Sequence, residues 1–188
     1  DALTLNGSTL QPISGTLTLD THTLTITNGA SLLGNIAVNT KITGPGQLTV
    51  QGTLTLGSTA NDYTSDLRIY GDGSKLKLGA DNVIPHGAGK GNIMFSYGAA
   101  LDMNGKSVTI NGLTVQYAGP SSIDIVSAGG ASTLTVGDNN AAGWFAGVIR
   151  NTTGILSLTK IGTNTLTLYG TNTYTGSTII NNRELVLR

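Results

Sequence analysis

The residues whose types could support chemistry lie in one stretch, residues 61–78, where Asp62, Asp66, Arg68 and Asp72 follow one another closely. Two carboxylates about 5 to 9 Å apart can cleave a glycosidic bond, because one protonates the leaving oxygen while the other acts as nucleophile or base. The same grouping also fits a solvated surface patch, in which an exposed Asp66 to Arg68 pair contributes little to stability. The sequence is compatible with either a glycoside-cleaving site or a surface patch.

A strand across this stretch would separate its polar and apolar side chains. Asp66, Arg68 and Tyr70 fall on one side of the strand, and Leu67 and Ile69 fall on the other. Ordinary surface charge explains such a grouping more often than a catalytic centre does, so we assign no catalytic residue and expect no enzyme. The candidate surface-binding residues, with carbohydrate as the class of ligand, are Asp62, Asp66, Arg68, Tyr70 and Asp72.

The sequence gives little support for a metal site, a phosphate-binding loop or a calcium site. His22 and His86 are isolated, and the chain has no cysteine, so we expect no metal site and no thiol chemistry. The glycine-rich residues 87–91 lack the spacing of a phosphate-binding loop. Asp72 and Asp138 lie in turns that could hold calcium weakly, but the repeated calcium-binding sequence is missing. We therefore expect no cofactor.

Charge and hydropathy exclude two classes of partner. Ten basic and ten acidic residues cancel, and charged residues make up 11% of the chain against about 25% in average domains. Without a basic stripe we expect no nucleic acid partner. No run approaches the roughly 18 apolar residues of a membrane helix, so we expect no direct membrane insertion.

The elements that must position these residues are short strands. Thr alternates with Leu, Ile or Val in run after run, and Gly or Asn separates the runs. Two-residue Asn-Gly or Asp-Gly loops are too few for a series of hairpins. Each run exposes one apolar row and must stack on a neighbour to bury it. The pattern predicts an all-β parallel coil, a β-solenoid of roughly 8 to 10 rungs, formed by residues 1–188 as a single domain.

Both ends of the sequence have the pattern of apolar strands, ALTL and ELVLR. An open terminal rung presents unpaired backbone groups and an apolar edge. We expect either a segment of a longer surface protein or a subunit that stacks on itself head to tail through its uncapped terminal rungs.

The tail, residues 158–187, carries the most regular pattern. Its runs LTKIG, TLTL and NTYTG resemble the autotransporter-associated β-strand repeat, which occurs in passenger regions of large bacterial surface proteins. From about residue 82 onward, runs such as LDMNGKSVTINGL are similar to longer arrays of this repeat. Asn164 stands where the family usually has glycine, and Asn tolerates the left-handed backbone of such a turn. The core motif residues, expected to be structural, are Gly170, Asn172, Thr173, Tyr174, Thr175 and Gly176.

The resemblance implies a right-handed parallel β-helix at the cell surface or in the extracellular space. It favours a noncatalytic stalk, fibre or adhesin segment that extends and stacks, with surface glycans as a further partner. The alternative is a β-helix that binds or cleaves carbohydrate through residues 62–72.

Two further patterns concern exposed surfaces. Trp144, Phe145, Tyr169 and Tyr174 could stack on sugars if exposed, but we expect them to cap or fill corners of the coil. Repeated Thr-Leu-Thr could bind ice if it formed one flat array, although strand preference alone produces it. The pairs begin at Thr16, Thr23, Thr53, Thr133 and Thr165.

Overall fold

Strands are the regular elements of the computed structural model, which describes residues 2–118 and 122–188. None of the described residues forms a helix that could cross a membrane. In chain order the strands are β1 (Leu3–Leu5), β2 (Ser8–Leu10), β3 (Thr16–Leu19), β4 (Leu24–Ile26), β5 (Ala30–Val38), β6 (Ile42–Thr43), β7 (Leu48–Leu56), β8 (Leu67–Tyr70), β9 (Lys75–Leu78), β10 (Ile93–Ser96), β11 (Ala100–Asp102), β12 (Val108–Ile110), β13 (Leu113–Tyr117), β14 (Asp124–Val136), β15 (Gly143–Phe145), β16 (Val148–Lys160), β17 (Leu166–Leu168), β18 (Thr178–Ile180) and β19 (Leu185–Leu187).

The pairings between these strands are parallel and define three faces of a coil. Face A holds β1, β4, β6, β12, the ends of β14 and β16, and β18. Face B holds β2, the starts of β5 and β7, and then β8, β10, β13, β15, β17 and β19. Face C holds β3, the ends of β5 and β7, β9, β11 and the starts of β14 and β16.

The chain visits faces A, B and C in order and then returns one level higher. This gives about eight turns, at the lower end of the predicted number. With neighbouring parallel strands about 4.8 Å apart, the stack is roughly 38 Å long. The prediction of an all-β parallel solenoid is confirmed.

Alternation along each strand fills the interior with stacked apolar rows. On face C, for example, one inward row follows the register of the strands from turn to turn. Burying each Leu or Ile contributes roughly 1.5 to 3 kcal/mol, so stability accumulates along the stack. The buried members of this row are Ile36, Leu54, Leu76, Leu101, Ile125 and Ile149.

Two long strands turn a corner by bending at a glycine. Gly34 in β5 and Gly52 in β7 are register partners, with φ of 92° and 145°, and each marks the passage from face B to face C. A Cβ on Gly52 would lie 2.3 Å from the Gly34 carbonyl oxygen. Only glycine therefore allows these two corners to stack directly.

One lysine points into the stack near its C-terminal end. Lys160 lies in register between Val136 and Ile180 and is buried. Its Nζ donates hydrogen bonds to the carbonyl oxygens of Ile161, at 2.5 Å, and Gly162, at 3.0 Å. Burial lowers the pKa of the Lys160 ammonium group from its ordinary value. The ammonium group closes the corner that follows β16.

The Thr-Leu-Thr pairs are distributed over all three faces. The pairs beginning at Thr16 and Thr53 lie on face C, whereas the second threonine of the pair beginning at Thr133 lies on face A and that of the pair beginning at Thr165 on face B. On face C, Asn35 and Ala37 interrupt the two threonine rows. The pairs thus do not form the one flat array that ice binding would require.

Candidate binding surface

The predicted binding residues occupy different parts of the fourth turn. Asp62 lies on face A, where its backbone N–H donates to the Ile42 carbonyl. Its carboxylate forms an ion pair with Lys41 at 2.7 Å. The hydrogen bond from Lys41 holds the pKa of Asp62 below its usual value. A general acid needs the opposite shift, so this environment suits an ionised surface carboxylate rather than a proton donor.

Asp66 links successive turns at the corner between faces A and B. Its Oδ1 accepts a hydrogen bond from the Asn92 backbone N–H at 2.7 Å. Asn92 Oδ1 in turn accepts one from the Gly112 backbone N–H at 2.7 Å. Asp66 is thus the first of two side chains that cap the backbone of the next turn at this corner.

The structure brings Arg68 and Tyr70 together, while Asp72 follows them in the corner after β8. The guanidinium carbon of Arg68 lies 4.4 Å from the centroid of the Tyr70 ring, a cation–π contact. Arg68 takes part in none of the three ion pairs of the described residues, and its Nε is buried without a hydrogen-bond partner.

Tyr70, which is half-buried, begins a series of outward aromatic side chains on face B, which we call the aromatic row. One member comes from each of five consecutive turns: Tyr70 ends β8, Tyr97 follows β10, Tyr117 ends β13, Trp144 lies in β15 and Tyr169 follows β17. The last four side chains are 36, 49, 43 and 47% exposed.

The rings of the aromatic row contact one another in two groups. The Tyr97 centroid lies 5.3 Å from that of Tyr70, edge to face, and 5.5 Å from that of Tyr117, with the two rings stacked. Trp144 and Tyr169 meet edge to face at 6.1 Å. These contacts hold the rings in place while leaving part of each exposed.

The prediction that these aromatic residues cap or fill corners of the coil is right for Phe145 and for Tyr174, which packs partly buried against the core, whereas Trp144 and Tyr169 are exposed. Phe145 is buried and packs against Phe95 at 5.5 Å between centroids. Trp144 precedes it by one residue and therefore points outward, in register with Thr114 and Thr167. The alternation around Phe145 was the signal that could have identified Trp144 as exposed.

The glycine-rich loop at residues 87–91 is pinned to the coil. The buried Asn111 side chain accepts a hydrogen bond from the Gly87 backbone N–H and donates to the carbonyl oxygens of Gly87, Lys90 and Gly91. His86 Nδ1 lies 2.7 Å from Asp138 Oδ2, which ties the loop to a later turn. Within the described residues, no group of three or more His, Cys, Asp or Glu side chains could hold a metal ion.

The motif residues of the tail contact the turn beneath them. Asn172 Oδ1 accepts a hydrogen bond from the Ile149 backbone N–H at 2.9 Å, and the Thr175 backbone N–H donates to Asn151 Oδ1 at 2.8 Å. A Cβ at Gly170 would lie 1.9 Å from the Gly147 carbonyl oxygen. The motif therefore takes part in hydrogen bonds between side chain and backbone that join this turn to the one beneath it. The absence of a side chain at Gly170 lets the two backbones approach closely.

Comparison with known proteins agrees with this architecture. The chain is 31% identical over 192 residues to the adhesin BmaC autotransporter of Brucella suis biovar 1 (strain 1330), an alignment that covers 96% of this chain. The chain spans 5% of the length of that protein. No protein-family model matches the chain, and no solved structure matches it. A partial similarity to an autotransporter adhesin, together with the β-solenoid, fits a surface protein of the autotransporter type.

Proposed function

We propose that this chain is a noncatalytic segment of an adhesin passenger region, located at the bacterial surface, that extends and stacks and presents its outward side chains for adhesion. The observation that carries this proposal is the uninterrupted parallel ladder of face B, from β2 to β19. A ladder of this kind forms a rigid rod whose length grows with each turn. The similarity to an autotransporter adhesin supports the surface location.

The proposal also covers the tail of the chain and the exposed end of the coil. Residues 158–187 are a unit of the autotransporter-associated repeat, in which the motif from Gly170 to Gly176 stacks one turn on the last. Ile179, Ile180 and Leu187 are each about half exposed or more. Ile180 and Leu187 continue inward rows, so a further turn stacked on β18 and β19, from a continuing chain or a second copy, would bury these two side chains and extend the rod.

The alternative is a β-helix that either cleaves or binds carbohydrate. Cleavage through residues 62–72 is not favoured, because Asp62 is paired with Lys41 and Asp66 caps the Asn92 backbone at a different corner. Binding is favoured by Arg68 and Tyr70, which are in contact and lie at the start of the aromatic row.

The adhesive role predicts a gain of function on a host cell. Fused to a surface anchor and displayed on a non-adherent bacterium, the chain should increase adhesion to cultured epithelial cells several-fold over the anchor alone. Counting bound bacteria after washing measures this, with equal surface levels checked by antibody. The matched control displays a variant with Leu76→Asp, which places a charge in the core and should abolish the gain. Equal adhesion by the wild-type chain and the anchor alone would refute the adhesive role.

A further inference from the structure

We propose that the aromatic row and Arg68 bind a linear acidic glycan, which lies along the coil axis from the fourth to the eighth turn. This inference rests on the proposed adhesive function, since it names the class of ligand that the adhesin segment holds.

The chemistry of the aromatic row matches a sugar. Tyr and Trp present a flat apolar ring with a polar hydroxyl or indole N–H at its rim. A pyranose has the same division, because its ring C–H groups form apolar patches and its hydroxyls surround them. In the two turns before the row, β5 and β7 contain no aromatic residue, and the partners in register with Arg68 are Thr49 and Ser31, so the aromatic side chains begin only at the fourth turn. The two groups of rings are exposed apolar patches on one face, and exposed apolar patches mark contact surfaces.

The shape of the row favours a single extended chain over a protein. The five members span four turn spacings of about 4.8 Å, which gives a narrow strip roughly 19 Å long. Trp144 lies in the register row of Thr114, beside the row that Tyr70 and Tyr117 share, so the strip runs obliquely along the coil. Polar Thr114 and Thr167 flank Trp144 along face B. A standard protein interface buries about 800 Å² on each partner and needs a wider patch. The spacing of the turns is comparable to the length of one sugar unit in a linear glycan.

The charges around the row favour carboxylate groups on the glycan. Arg68 lies over Tyr70 and has no carboxylate partner in any ion pair of the described residues. Lys75 and Lys77, on face C of the same turn, also take part in none of these pairs. Asp72 is the one acidic residue of the corner between β8 and β9, and it takes part in none of them either. At the other end, the Arg188 guanidinium carbon lies 5.8 Å from the Tyr169 ring centroid.

Arginine suits this role better than lysine. Its planar guanidinium can donate two parallel hydrogen bonds to one carboxylate while its flat face remains on an aromatic ring. An acidic sugar unit stacked on Tyr70 would bring its carboxylate to the free edge of Arg68. The uncharged middle of the row would then hold the following sugar units through the ring surfaces that the Tyr97–Tyr117 stack leaves exposed.

Trp144 makes this binding directly observable, because it is the only tryptophan of the chain. We expect titration with oligogalacturonate to change its fluorescence saturably, whereas a neutral cello-oligosaccharide of equal length should bind about tenfold more weakly or less. Arg68→Gln should weaken the acidic glycan about tenfold and leave the neutral one unchanged. Tyr117→Ala should weaken both and leave the reporter in place.

The controls separate this inference from charge attraction and from the adhesive role. Lys106→Gln removes a positive charge away from the row and should bind like the wild-type chain. Circular dichroism shows whether each variant is folded. The inference is overturned if folded wild-type chain gives no saturable change with oligogalacturonate, or if Arg68→Gln binds it equally well. Adhesion of displayed cells without glycan binding would overturn this inference alone, and loss of that adhesion in Tyr117→Ala would then identify a protein partner. Glycan binding without adhesion would instead overturn the proposed function.

Discussion

Leu76→Ala is expected to lower the free energy of unfolding by about 2 to 5 kcal/mol. Leu76 is fully buried in the middle of the coil, and its register partners in the inward row are Leu54 and Leu101. Truncation removes contacts with both neighbouring turns and leaves a cavity that a stacked backbone cannot close. Urea denaturation, followed by circular dichroism, measures the change.

Lys77 provides the matched control because it is the next residue of the same strand and points outward. Lys77→Ala should change the free energy of unfolding by no more than about 0.5 kcal/mol. If Lys77→Ala were as destabilising as Leu76→Ala, the assignment of inward and outward rows on β9 would be wrong.

Gly52→Ala should destabilise the coil by about 2 to 5 kcal/mol, although it adds a single methyl group. The backbone there has a φ of 145°, and the added Cβ would lie 2.3 and 2.6 Å from the carbonyl oxygen and amide nitrogen of Gly34. Backbone strain and a clash with the turn below therefore act together. Thermal or urea unfolding of the purified variant measures the loss.

Gly73→Ala separates these two causes. Gly73 also has a positive φ, 73°, but a Cβ there would meet no atom within 4 Å. It should therefore show only the cost of the left-handed backbone, about 1 to 2 kcal/mol. Equal effects of Gly52→Ala and Gly73→Ala would mean that the stacked corners of β5 and β7 can separate without cost.

Local pattern was enough to predict the architecture. The alternation in β8 placed Leu67 and Ile69 on the side opposite Asp66, Arg68 and Tyr70, and the structure buries both. The scarcity of two-residue turns excluded hairpins, and the strands are indeed parallel. These features are short-range, since each depends on residues two positions apart or on a single turn.

The aromatic row was not predicted because it depends on register between turns. Tyr97 meets Tyr70 and Tyr117, and Trp144 meets Tyr169, only after corners of unequal length have been closed. The same reason hid the bonds from Asn111 to the loop at residues 87–91 and the contact between His86 and Asp138. A sequence pattern with no fixed period does not show which corner lies above which.

The outward rows exist only if neighbouring turns are in register, and paired cysteines test this directly in a chain that has none of its own. Thr53 pairs with Lys75, which pairs with Ala100. Thr53→Cys with Lys75→Cys places the two residues about 4.8 Å apart, whereas Thr53→Cys with Ala100→Cys places them about 9.6 Å apart. A short bifunctional thiol reagent, with products identified by mass spectrometry, should link the first pair rapidly and the second pair hardly at all. Equal linking of both pairs, or none of the first in a folded variant, would contradict the stacked coil on which the adhesive surface depends.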